Sequence, residues 1–206
     1  AYEFCDVLFK MNDQYFSSSE RSRLLSPVSS GISHWILPLP ATLKYFHEGY
    51  TNAMESGDLW YAGNIMVNRF VTQLKMGNNL QGVFDEFIGF KGFVEKQNNA
   101  FLSSEYTLYM LWIKMMATGV EESEIDEFEQ DYVRNNKTNE FLIGYLYTFY
   151  TRYYLLMGEY SKALIYAEKV IKLANFFLVS PLEADAHFYC TLAICGNASD
   201  NNESQV

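Results

Sequence analysis

Proline is scarce in this 206-residue chain, and only Pro27, Pro38, Pro40 and Pro181 can interrupt a helix. Long helices are free to form everywhere else. Cysteine is scarcer still. Cys5, Cys190 and Cys195 are an odd set without paired spacing, which argues against a disulfide framework and for buried thiols in a reducing, cytoplasmic compartment. His34, His47 and His187 lie far apart and have no histidine or carboxylate at a ligand spacing such as H-E-x-x-H. His47 and Glu48 are adjacent, so on a helix their side chains point in different directions. No phosphate loop, G-x-G-x-x-G or G-x-S-x-G occurs. The longest stretch without Asp, Glu, Lys or Arg, residues 24–43, is interrupted by Pro27, Pro38 and Pro40, so no membrane span is expected, and no basic-then-apolar leader marks a signal peptide. Positive charge is also short: Lys and Arg total 15 against 25 Asp and Glu, a net charge of −10. Nucleic acid and anionic membranes attract the opposite balance, so neither is expected as the main partner.

What the chain has is apolar and aromatic surface, with 16 Tyr and 16 Phe. That composition can bury a core and excludes general disorder. The clearest pattern runs from Glu140 to Ala174. Leu142, Leu146, Phe149, Tyr150, Tyr153, Tyr154 and Met157 recur at three/four spacing, which gives one wide apolar helix face. Gly158 supplies the positive φ that closes this helix, and Glu159 starts the next with negative charge at its positive end. In that second helix Tyr160, Ala163, Leu164, Ala167, Val170, Ile171 and Ala174 form the apolar stripe, with alanines where two axes approach, while Lys162, Glu168, Lys169 and Lys172 are expected to face outward. A helical pair with a Gly-acidic-aromatic-x-x-Ala turn is the mark of a tetratricopeptide-like repeat.

Further helices are predicted over 1–12, 20–35, 41–56, 59–76, 80–97, about 103–119, 123–134 and 181–195. Ser17 to Ser19 offer caps to the second, and Pro40 suits the first turn of the third. Gly57-Asp58-Leu59-Trp60-Tyr61-Ala62 repeats the turn motif. Gly82, Gly89 and Gly92 weaken the helix over 80–97, and close backbone packing would account for them. Ser180 is expected to cap a last helix begun by Pro181, and 197–206 reads as a polar flexible tail. The helix-closing Gly77, Gly119 and Gly158 stand 42 and 39 residues apart. The expected fold is all-α: an alpha-alpha solenoid of about ten helices, a single degenerate array of tetratricopeptide-like hairpins over 1–196. Trp112 and Thr151 stand where a small residue is usual in the first helix of a pair. The start at Ala1 reads as a piece cut from something longer.

Three stretches carry a more specific likeness: His34-Trp35-Ile36-Leu37-Pro38-Leu39, Phe46-His47-Glu48-Gly49-Tyr50, and Glu55-Ser56-Gly57-Asp58-Leu59-Trp60-Tyr61-Ala62-Gly63. With W-x-x-P-L followed by E-x-G-D-L-x-Y-A, the chain resembles the tetratricopeptide-like segment of very large multidomain sensor kinases, from these stretches through the helix of His187-Phe188-Tyr189. In that family the segment lies between a STAND-type predicted ATPase domain and GAF, histidine-kinase or other output domains. The resemblance implies an intracellular signalling scaffold without catalysis of its own, since ATP binding and phosphotransfer belong to the neighbours.

No cofactor or metal is expected. The acidic run Glu121, Glu122, Glu124, Asp126, Glu127 and Glu129 lacks the glycine and spacing of a calcium loop and reads as a solvated helix face. Cys190, in an apolar helix, is expected to be inert. The triplets Asn136-Lys137-Thr138, Asn197-Ala198-Ser199 and Asn202-Glu203-Ser204 fit the glycosylation pattern, but such triplets are common in any Asn-rich chain. What remains is recognition of a protein, a peptide or a neighbouring domain on the concave side of the stack. With the closing glycines as phase markers, Asn64, Asn68, Tyr106, Tyr109, Tyr145, Thr148 and Arg152 would face inward. Arg152 is expected to matter most, because a lone charge on an aromatic helix needs a partner. A ligand-sensing array that regulates an attached ATPase and a free-standing adaptor are the alternatives; an enzyme comes last.

Overall fold

A computed structural model describes residues 3, 7, 9–11, 16–173 and 181–203, without side-chain detail at 181, 182 and 199–203. The described residues are all-α, as predicted. Ten α-helices are present among them: α1 (Ser18–Pro27), α2 (Leu39–Ser56), α3 (Leu59–Lys75), α4 (Leu80–Gly89), α5 (Lys91–Gln97), α6 (Ala100–Thr118), α7 (Glu122–Asn135), α8 (Glu140–Leu156), α9 (Tyr160–Lys172) and α10 (Pro181–Glu203). Most of the helix expected over 1–12, and the Ser180 cap, lie outside the described residues. Where the sequence suggests one array over 1–196, the chain divides within α6 into two compact units, Ala1–Met110 and Leu111–Val206.

In the first unit α1 opens with a capping box. The Ser17 hydroxyl accepts from the Glu20 amide at 3.4 Å and the Glu20 carboxylate accepts from the Ser17 amide at 2.8 Å. The helix expected to run to Trp35 instead loosens after Pro27 into a π-turn over Val28–Ile32 and a 3-10 turn over Ser33–Trp35. Pro27 has no N–H to give, and the Ser29, Ser30 and Ser33 hydroxyls bond back to the carbonyls of Leu25, Ser26 and Ser29. Both effects weaken the regular ladder. α2 packs on α1 and α3. Gly49 makes that double approach possible, because a Cβ there would stand 3.1 Å from both Ile65 Cδ1 and Leu25 Cβ. Asp58, at the start of α3, makes no capping bond with its side chain and accepts from Arg23 Nε at 3.0 Å.

The single helix predicted over 80–97 is broken at Phe90 into α4 and α5. The ring of Phe90 turns into the core against Phe70 and Phe93, and this packing outweighs helix continuity. Asn79 caps α4 by accepting from the Gly82 amide at 3.0 Å. Close packing does not account for the glycines here: Gly89 and Gly92 have open space where a Cβ would stand, and Gly82 has only the Asn79 side chain 3.9 Å away. The core of this unit centres on Phe46, Ile65, Phe70 and Phe87, with Phe70 edge-on to Phe87 at 4.5 Å. This unit also buries a carboxyl. Glu105 is 6% exposed, its Oε2 has no hydrogen-bond partner, and burial pushes its carboxyl up to about 8.

In the second unit α8 and α9 form the predicted hairpin, and both pack on α10. Gly158 closes α8 with φ 77°, and Gly77 and Gly119 show φ values of 71° and 73°. Ala163 and Ala167 are fully buried where α9 meets its neighbours. Thr151, one of the two residues too large for the usual pattern, is accommodated by donating its hydroxyl to the Tyr147 carbonyl at 2.8 Å. The other, Trp112, stacks on Phe149 at 5.0 Å. Cys190 donates its thiol to the Ala167 carbonyl, and burial pushes that thiol up to about 11. Of the stretch expected as a polar flexible tail, residues 197–203 belong to α10. Gly196 lies inside this helix against Tyr160, where a Cβ would fall 2.3 Å from the ring, so no larger residue fits, and Ser161 donates to Asn197 Oδ1 at 3.1 Å.

Candidate functional site

The acidic helix α7 carries six carboxylates and one arginine. It docks on α8 through Ile125, which is 2% exposed and whose carbonyl accepts from the Tyr150 hydroxyl at 3.3 Å. Tyr132 is also buried on this side and stacks with Phe128 at 5.3 Å. One turn after Ile125 on the same face comes Glu129, which the docking carries inward. Its carboxylate accepts from the Tyr166 hydroxyl at 2.8 Å and from Lys169 Nζ at 2.7 Å, both on α9, and its side chain is only 17% exposed.

Lys169 is therefore not the outward-facing lysine of the sequence pattern. Its ammonium lies 4.6 Å from the centroid of Tyr147 and 4.5 Å from that of Tyr166, so two ring faces and a carboxylate surround one cation. The two rings stand 6.0 Å apart and are tilted by 36°. Behind them Tyr166 stacks on Tyr154 and meets Tyr150 edge-on at 5.0 Å. Burial, and then the Glu129 charge, push the Tyr147 and Tyr166 phenols above their ordinary value, so at neutral pH they are uncharged. Tyr154 is pushed up to about 12, chiefly by burial.

Beside this corner lies an open groove of about 480 Å³, lined by Asp126, Glu129, Gln130, Val133, Arg134 and Tyr147. Arg134 is held at 2.6 Å by Asp131. Farther along α7, Lys162 bridges Glu122 at 2.6 Å and Glu159 at 2.8 Å. Lys114 pairs with Glu124. The groove thus offers two carboxylates, one aromatic face and one arginine. These groups bind by charge and ring contact; no nucleophile with a paired base is among them. Among the described residues no cluster of three His, Cys, Asp or Glu side chains could hold a metal ion. No helix among them is long and apolar enough to cross a membrane.

Of the seven residues the sequence places on a binding face, four lie in the first unit and three in the second. Tyr106, Tyr109 and Thr148 are 8%, 3% and 2% exposed, so they are core side chains and cannot meet a partner. Tyr106 donates to the Phe87 carbonyl at 3.3 Å and Thr148 to the Gly144 carbonyl at 2.8 Å. The glycine phase marker misplaces them because these helices pack on more than one side. Asn68 and Asn64 are half-buried and satisfy local needs. Asn68 Nδ2 donates to the Asn64 carbonyl at 2.9 Å, and Asn64 Oδ1 accepts from Ser26 at 2.9 Å. Tyr145 is half-buried between Phe141 and Phe149. The Arg152 guanidinium lies 5.0 Å from the Trp112 centroid and 5.3 Å from that of Tyr189, so its charge is met by two rings of its own unit.

Glu129, Tyr147, Tyr166 and Lys169 were not singled out by sequence reasoning. The Tyr166-Lys169 spacing was a usable sign of an aromatic–cation pair, but the third member stands 40 residues before Lys169. No family model matches the chain, and no curated protein or solved structure matches it.

Proposed function

We propose that this chain is a non-catalytic recognition module, a tetratricopeptide-like helical array that holds a basic peptide segment or a neighbouring domain. In this reading the contact surface is the groove of α7 and α8 rather than the row of residues from Asn64 to Arg152. The observation that carries it is the Glu129 carboxylate, mostly buried yet part of the groove wall, with Asp126 and Tyr147 in the same lining. A partly desolvated carboxylate next to an aromatic face favours a cation more than an exposed acid does. The net charge of −10 steers basic partners toward the chain. The resemblance to the helical segment of multidomain sensor kinases supports a cytoplasmic signalling setting, in which catalysis belongs to attached domains and this module relays contact.

Fluorescence anisotropy with a labelled lysine-rich peptide tests the reading. The wild-type protein is expected to bind it with an affinity that falls as salt rises. The double variant Asp126→Asn, Glu129→Gln is expected to weaken binding about tenfold or more, with an unchanged circular dichroism spectrum. Equal binding by the double variant would place the contact elsewhere. The setting is tested by immunoblot of the source cells: a band several-fold above 23.9 kDa agrees with a module of a larger protein, and a band at that mass contradicts it.

A further inference from the structure

We propose that the corner formed by Tyr147, Tyr166 and Glu129 is a receptor for the ammonium group of a lysine on a bound peptide, and that Lys169 occupies it in the free protein as an internal competitor. The inference rests on the groove being a peptide site and names what that site reads. Three geometric facts carry it. The corner already holds an alkylammonium, with two ring centroids at 4.6 and 4.5 Å and a carboxylate oxygen at 2.7 Å. Two of its three walls, Tyr147 and Glu129, also line the groove, whereas Lys169 and Tyr166 do not. A lysine arriving along the groove therefore meets the same ring and the same carboxylate from the solvent side. Finally, Lys169 is 36% exposed at the side chain and reaches the corner on a flexible four-carbon stem, so it can leave into water without any movement of a helix.

The charges around the corner fit this occupant. Asp126 and Glu129 both line the groove, and Arg134, the one cation of the lining, pairs with Asp131 on the exposed side of α7. One Glu129 oxygen accepts from the Tyr166 hydroxyl and the other from Lys169, so a displacing group finds a single acceptor oxygen, which suits a compact ammonium better than the two-point fork of an arginine. A self-occupied site binds its ligand with an apparent affinity reduced by the fraction of molecules in which it is open. Removal of the Lys169 charge is thus expected to tighten lysine binding even though it deletes a group from the neighbourhood.

The probe is an acetylated, amidated pentapeptide with one central lysine, titrated into the whole chain and followed by the NMR signals of the tyrosine rings. Lys169→Gln is expected to bind it about tenfold more tightly than wild type, a gain that Tyr147→Leu in the same chain abolishes. Lys169→Met, which keeps the apolar stem, serves if the glutamine variant does not fold. Tighter binding by either variant, including binding where the wild type shows none, supports the proposal. If the wild type binds and the Lys169 variants bind equally or more weakly, the internal competitor is refuted while the groove stands. Tighter binding that survives Tyr147→Leu refutes the aromatic corner. If neither the wild type nor the variants bind, the groove falls too.

Discussion

Glu105→Gln is expected to raise stability by about 1 kcal/mol or less near pH 5 and by roughly 4 kcal/mol at pH 8, relative to wild type. The carboxyl is 6% exposed, its Oε2 has no hydrogen-bond partner, and burial lifts it from the usual 4.5 to about 8. The folded protein thus keeps this proton up to about pH 8, whereas the unfolded chain gives it up near its ordinary value. Over that window the folded state holds more protons, and wild-type stability falls as the pH rises. A glutamine cannot ionise, so the variant lacks this loss. Urea unfolding at pH 5, 6.5 and 8 checks it; a difference between the two proteins that does not change with pH would mean that the carboxylate is hydrated. Against a typical total of about 5–15 kcal/mol, the effect is large enough to decide whether the fold survives mild alkali.

The second large effect concerns the packing under the groove. Tyr150 is fully buried, touches Tyr166 edge-on at 5.0 Å and reaches the Ile125 carbonyl at 3.3 Å. Tyr150→Ala is expected to cost about 3–5 kcal/mol, because the ring leaves a cavity that the surrounding helices fill only in part. Tyr150→Phe keeps the ring and loses one neutral hydrogen bond, for about 1 kcal/mol. The ratio between the two, read from denaturant unfolding, reports whether α7 is held mainly by packing or by its polar contact. Equal costs would show that the hydroxyl, not the ring, fixes α7.

The sequence was a good guide to features decided within one or two turns. Gly77, Gly119 and Gly158 were legible as helix ends because a positive φ is a local requirement, and the α8–α9 hairpin followed from its apolar period and from Ala163 and Ala167. It was a poor guide where a distant group decides. The break at Phe90 goes with a ring drawn into the core against Phe70, and the need for glycine at 196 is set by the Tyr160 ring more than thirty residues earlier. The same limit hid the site. Glu129 looked like one acid among six on a solvated face, and only the docking of Ile125 on Tyr150 turns it toward Tyr166 and Lys169. Arg152 drew attention as a lone charge, but the rings of Trp112 and Tyr189 that answer it lie on other helices.

The most direct test of the central claim, that the α7–α8 groove is a recognition surface for cations, is a map of backbone and tyrosine NMR shifts during titration with the lysine-rich peptide. The account predicts that the largest shifts fall on Asp126, Glu129, Gln130 and Tyr147, with Tyr166 and Lys169 responding as the corner opens. Shifts confined to Asn64, Asn68 or the surroundings of Arg152, with α7 unmoved, would contradict it.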